Sequence, residues 1–276
     1  MTISNFGAAG VRPGVCTSTT RPTTPYVGQI IYETDTGYLR VWDGSAWDYL
    51  SVATDYQSPT GYLYRQTLYV TGTSTFTKAS YPWLRAIRAK VVGGGGAGGG
   101  APFTGVVNQA AAGGGGGAGG YSERLVTNIA GLATNETITI GGAGAGGSGG
   151  GGNGGASSAF GMTANGGSGG SVGVASTARS LAQGGNGGSA SGGDLNISGQ
   201  NGSFGQVEAP SAFGGNGGSS FMGMGGLRIG TIPATPRGGG SPTGFGAGGG
   251  GSVGAESVAV NGTSGTAGIV IIELYA

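Results

Sequence analysis

Asp194 and Glu208 share one glycine-poor stretch. A carboxylate pair held about 5–9 Å apart is the machinery of glycoside cleavage. No aromatic sugar platform accompanies them, and Glu123, Glu136, Glu256 and Glu273 fall elsewhere, most of them in or beside strand-like runs. No acid–base constellation converges on these residues. GAGAGG at 142–147 matches the dinucleotide turn G-x-G-x-x-G and follows the strand-like ETITI. That turn must open a helix, which the following SGGGGNGG cannot form. No Lys follows Lys90, so a G-x-x-x-x-G-K-[ST] phosphate loop is excluded from the glycine-rich part. The absence of His removes the commonest general base and metal ligand. Cys16 is the single cysteine, so no internal disulfide framework exists. The N-x-[ST] matches at 135–137, 196–198, 201–203 and 261–263 read as turns. The expectation is a chain with no catalytic residue, no metal and no cofactor.

What is left is contact chemistry. Phe103, Val106, Arg179, Phe204, Arg228, Ile229, Ile232 and Arg237 lie in glycine-poor stretches at 101–112, 171–183, 195–212 and 227–245. Apolar tips on loops mark contact surfaces, and Arg is a common anchor there. These eight are the binding candidates. A net charge of +1 gives no footprint for nucleic acid or an anionic membrane. No stretch approaches about 20 continuous apolar residues, so no spanning helix is expected, and MTISNFGAAG lacks the basic start and apolar run of a secretory signal.

The element that must position these loops is a region built from most of the chain's 71 glycines. Collagen needs Gly at every third position, and the region keeps no such register throughout. A flexible linker does not carry recurring patterns, yet GGNGG recurs at 151–155, 184–188 and 214–218. Bundled polyproline-II helices of glycine fit better: three residues per turn, backbone groups pointing sideways, and close approach that only Gly permits. Phe160, Phe213 and Phe221, in repeated S-x-F contexts, are expected to pack between such rods.

Flanking elements read as strands. Residues 1–25 form an extended arm. Residues 26–60 form a meander, GQIIYET, YLRVWDG and SAWDYL, with Tyr32, Trp42, Trp47 and Tyr49 as packing and docking residues. A unit this small needs a neighbour. Residues 61–276 form the glycine-rich domain. RQTLYVT, LRAIRAKVV, ERLVTNI, ETITI and GIVIIEL supply a basal sheet, with LRAIRAKVV as a charged edge strand. LRAIRAKVV and GIVIIEL pair at its base. The fold class is mainly β: a small N-terminal meander, then a sheet carrying polyglycine helices and projecting loops, with essentially no α-helix.

The ordered series WLRAIRAKVVGGGGAGGGA, GGGGGAGGYSERLV, ETITIGGAGAGGSGGGGNGGASSAFG and GTAGIVIIELYA resembles the glycine-rich domain of bacteriophage tail proteins over roughly residues 64–276. RPTTPYVGQIIYETDTGYLRVWDGSAWDYL is similar to a short module of phage minor tail and fibre proteins. The resemblance implies a surface-exposed virion protein of the tail, a minor tail protein or fibre. It would dock to other virion proteins through its N-terminal region, assemble as a homotrimer, and present loops to a host receptor, protein or glycan. A capsid head fibre or a decoration protein is the alternative.

Overall fold

The computed structural model describes residues 13–50, 63–231, 235–255 and 258–276, and the chain divides into two compact units, 1–61 and 62–276. The first holds one sheet of β1 (Gly14–Cys16), β2 (Ile30–Glu33), β3 (Tyr38–Trp42) and β4 (Trp47–Tyr49), in that order. The three meander strands stand where their alternation places them. The arm is not wholly without structure: its β1 adds to β2 in parallel, Val15 opposite Tyr32.

The second unit is best followed along its path. β5 (Tyr64–Val70) and β6 (Ser74–Thr77) precede β7 (Ala86–Val92), which runs straight into a glycine rod at 93–101. The far end, the apex, holds β8 (Ala110–Ala112). The chain returns through rod 113–120 into β9 (Tyr121–Val126). β10 (Asn135–Ile138), β11 (Ser157–Ala159) and β12 (Met162–Ala164) follow at the base, β13 (Ser180–Ala182) at the apex, and β14 (Ala190–Ser191) with β15 (Leu195–Ile197) at the base. β16 (Gly205–Glu208) and β17 (Ser211–Phe213) are apical, β18 (Met222–Met224) basal, β19 (Gly230–Thr231) apical, β20 (Thr243–Phe245) basal and β21 (Val253–Ala255) apical. β22 (Ile269–Tyr275) closes the base.

The basal sheet is antiparallel in the order β15-β9-β7-β22-β5. β7 and β22 pair as expected, Val92 opposite Ile269. Two expectations fail here. LRAIRAKVV is not an edge strand: β7 lies between β9 and β22, and its Arg88 and Lys90 are tolerated because Glu123 and Glu273 on those neighbours neutralise them. ETITI does not join this sheet. β10 pairs instead with β6, which the turn-like GTSTFTK hid. One face of the basal sheet is the main core, where Ile87, Val91, Ile272 and Leu274 meet Phe76, Ile138, Phe160 and Met162. Near the rods the other face is closed by Val92, Tyr121 and Ile269 against Met222 and Phe245.

The sheet's pairing does not stop at Val92. Val92 faces Tyr121 in the sheet, and the same register continues as Gly93 N–H donating to Gly120 O, Gly96 to Gly117 and Gly99 to Gly114. On the β22 side it continues as Gly95 to Thr266, Gly98 to Thr263 and Ala101 to Val260. The intervening residues use a third neighbour: Gly94 donates to Gly155, Ala97 to Gly152 and Gly100 to Gly149. Donors that cycle among three partners every three residues define a threefold helix, the polyglycine geometry read from composition. Rod 113–120 also donates to three neighbours, at 246–252, 165–171 and 200–203, and accepts from three more, at 93–99, 185–188 and 215–218. Six surrounding rods complete a hexagonal lattice, and the three rods 93–101, 113–120 and 246–252 are buried throughout.

Candidate functional site

Between rods the chain turns at one end of this lattice or the other, and register decides which. Gly100 donates to Gly149 O and Gly173 to Gly100 O, so the turns near 149 and after 173 are apical. Rod 185–188 runs parallel to 115–118, so it descends from apex to base. The GGNGG tracts at 151–155, 184–188 and 214–218 all descend in this way, and their recurrence is one circuit of rod down, basal turn, rod up and apical loop. The S-x-F repeats share no such position. Phe160 is in the basal core, Phe213 is in the apical β17, and Phe221 is at the base, stacked on Tyr121 at 4.1 Å. None packs between rods as expected, because rods in backbone contact leave no room for a ring.

The apex gathers 101–112, 174–183, 204–213, 229–231, 235–237, 253–255 and 258–259. They are stitched together by β13 on β16, β17 on β19, β21 on β8 and bridges from Ala110 to Ser176 and from Arg237 to Val253. A small core of Ala110, Ala112, Val207, Ala212, Val253 and Ala255 holds them. Phe103 and Phe204 project with 56% and 54% of their surfaces exposed, and Val106 with 62%. Arg179 and Arg237 are exposed, while Ile229 is half-buried. Arg228 is exposed, and its guanidinium lies 4.6 Å over the Phe213 ring. Ile232 lies outside the described residues.

Not all of the expected loops are apical. Leu195–Ile197 pairs with β9 and Thr243–Phe245 with β18, both at the base. The reason is length: each of these two stretches contains a whole rod or half-circuit, so its ends lie at opposite ends of the lattice. Asp194 and Glu208 are parted in the same way. Asp194 accepts the Leu125 N–H at the base, and Glu208 accepts from Gln206 at the apex, so the pair cannot act on one bond. Sequence reasoning missed Val107, Val174, Leu181 and Val258, all exposed at the apex. The alternation in SVGVAS was the available signal for Val174.

A second surface lies on the open face of the basal sheet. An open cleft of about 420 Å³ is lined by Arg88, Glu123, Leu125, Asp194, Leu195 and Tyr275. Burial would raise the carboxyls of Glu123 and Glu273. Bonds from Tyr121 and Arg88 to the first, and from Lys90 and Tyr275 to the second, outweigh it and hold both below the usual carboxylate range. Arg88 and Lys90 of β7 are thus neutralised in place. Among the described residues, no group of acidic residues and cysteine is arranged to hold a metal ion.

In the N-terminal unit Tyr32, Trp42, Trp47 and Tyr49 do not share a face. Strand alternation puts Trp42, Trp47 and Tyr49 with Ile31, Glu33 and Arg40. Tyr32 points the other way, with Ile30, Leu39 and Val41. Trp42 meets Trp47 at 5.5 Å, and the Arg40 guanidinium sits 3.8 Å over Tyr49. Glu33, fully buried, is bound by Arg21 at 2.5 Å, Thr36 at 2.8 Å and Arg40 at 3.3 Å.

The model of the glycine-rich domain family matches residues 70–275, and the chain belongs to that family. The search of curated proteins returned no match.

Proposed function

We propose that this member of the glycine-rich domain family is a surface component of a bacteriophage tail, a minor tail protein or fibre, whose apex binds a host-cell receptor. The observation that carries the reading is the division of labour in the second unit. The lattice commits its backbone donors and acceptors to neighbouring rods and offers a partner little. The exposed Phe, Val and Arg side chains gather on cross-braced loops at one end. Loops on a rigid scaffold are the usual construction of a binding surface, and clustered apolar and Arg side chains are its usual anchors. The phage setting rests on the ordered motifs in both parts of the chain.

The N-terminal unit is proposed to attach the chain to the virion and to make it a homotrimer. Among its described residues only Ile31 and Glu33 are buried, so both faces of its sheet have surface to give to partners.

Phe103→Glu combined with Phe204→Glu, in particles carrying the full chain, tests the receptor reading. Adsorption to host cells is expected to fall at least about tenfold, the scale of one lost hot spot, with particle assembly and the melting profile unchanged. Intact adsorption in that variant, and in one lacking residues 62–276, would make the domain a decoration and overturn the proposal.

A further inference from the structure

The chain holds six Asn-Gly steps, at Asn153, Asn165, Asn186, Asn201, Asn216 and Asn261. Such a step is chemically fragile. The glycine has no side chain to keep its own nitrogen away from the preceding carboxamide, and Asn is among the thermolabile residues. In five of the six that nitrogen is occupied. Gly154 N–H donates to Gly167 O at 2.9 Å, Gly202 to Gly185 O at 2.8 Å, Gly217 to Gly226 O at 2.8 Å and Gly262 to Gly147 O at 2.9 Å. Gly187 N–H donates to the Asn201 Oδ1 at 2.7 Å. Among the described residues, the Gly166 N–H alone of the six has no acceptor.

The register explains the exception. Rod 150–155 runs antiparallel to rod 165–173, with Gly151 donating to Gly170 O and Gly154 to Gly167 O. Between these contacts Asn153 extends its Oδ1 to the Gly169 N–H at 2.9 Å. One turn further, the position facing Gly166 belongs to Ala156, whose methyl group accepts nothing. Ala156 is exposed and Gly166 half-buried, so this part of the rod lies at the surface of the lattice. The Asn165 carboxamide is tethered only by its Nδ2, which donates to the exposed Ser189 Oγ at 2.9 Å.

We infer that Asn165 is the site of spontaneous deamidation in the folded chain, and that the lattice protects the other five. The Gly166 nitrogen loses its proton to hydroxide and bonds to the Asn165 Cγ. The Cγ–Nδ2 bond breaks and ammonia leaves. Water opens the resulting cyclic imide at either carbonyl, giving aspartate or isoaspartate. The isoaspartyl product adds a backbone atom where the Asn165 N–H donates to Ser189 O and its carbonyl accepts from Gly120 N–H, so it shifts the threefold register of rod 165–173.

The full chain is aged in mildly alkaline buffer and mapped by peptide mass spectrometry, with the same chain in denaturant as the measure of intrinsic reactivity. In the folded chain Asn165 is expected to convert at least about tenfold faster than the other five, the worth of one hydrogen bond that must first be broken at each of them. In denaturant all six should convert at comparable rates. Ala156→Asn, on an exposed position, supplies the missing acceptor and is expected to slow conversion at Asn165 about tenfold, and at no other step. Equal rates at all six in the folded chain, a different leading step, or an unchanged Asn165 rate in folded Ala156→Asn each overturns the inference.

Discussion

At the scale of the residue, a glycine in this lattice is defined by what a Cβ would meet. At Gly115, in a central rod, an added methyl would overlap the carbonyl of Asn216, and backbone on both sides leaves nowhere to shift. At Gly149, in an apical turn, it would meet nothing within 4 Å. Gly115→Ala is therefore expected to cost more than about 3 kcal/mol, beyond ordinary overpacking. Gly149→Ala is expected to be neutral or to stabilise by up to about 1 kcal/mol, because it restricts the unfolded chain. Thermal unfolding of the two variants checks the contrast, and equal melting temperatures would refute the close-contact argument. The glycines look alike in the sequence; their neighbours across the lattice decide which are obligatory.

Non-glycine residues in the tracts show how much of the elements was legible. In 182–189, exposure repeats every third residue: Gln183, Asn186 and Ser189 are exposed, while Ala182, Gly185 and Gly188 are buried. Asn165, Ser168 and Ser171 keep the same spacing. The lattice therefore has a local three-residue register that the lack of a global one obscured. Side-chain oxygens on perimeter rods satisfy N–H groups that lack a further rod: Asn216 accepts from the Arg228 N–H, and Ser264 from that of Gly146. β7, β9 and β22 were legible from alternation and β-branching. β10's pairing with β6 was not, because it depends on which face of the main core is left to cover. In the N-terminal sheet, the hydrogen bond from Arg21 leads the effects that hold the Glu33 carboxyl below its ordinary value, against the opposing pull of desolvation. A depressed carboxylate contributes stability above its unfolded pKa and loses it as pH falls through the folded one. Tryptophan fluorescence from Trp42 and Trp47 is expected to report loosening of this sheet below about pH 4. Glu33→Gln should remove that acid transition while destabilising the sheet at neutral pH. An identical acid profile in the variant would refute the role given to Glu33.

For the whole molecule, the binding candidates were legible as a set but not as a surface. Sequence located the glycine-poor stretches; only the direction of each rod tells apex from base, and direction follows from counting circuits through the register. Assembly belongs to this scale as well. The proposed homotrimer places its contacts in residues 1–60, so light scattering is expected to give three copies for the full chain and one for a truncated chain beginning at Tyr62. A monomer in both cases would remove the assembly role from the N-terminal unit.

The register that runs unbroken from Val92 opposite Tyr121 to Gly99 bonded to Gly114 has a mechanical meaning. A tether gripping the apex pulls along the rods, while their hydrogen bonds lie across them. Load applied in that direction shears many bonds together, where a sideways pull would peel them in succession. The rods at 93–101 and 260–268 pass this tension directly into β7 and β22, the two neighbouring strands of the basal sheet with the longest shared ladder. The domain is thus stiffest along the line from apex to base.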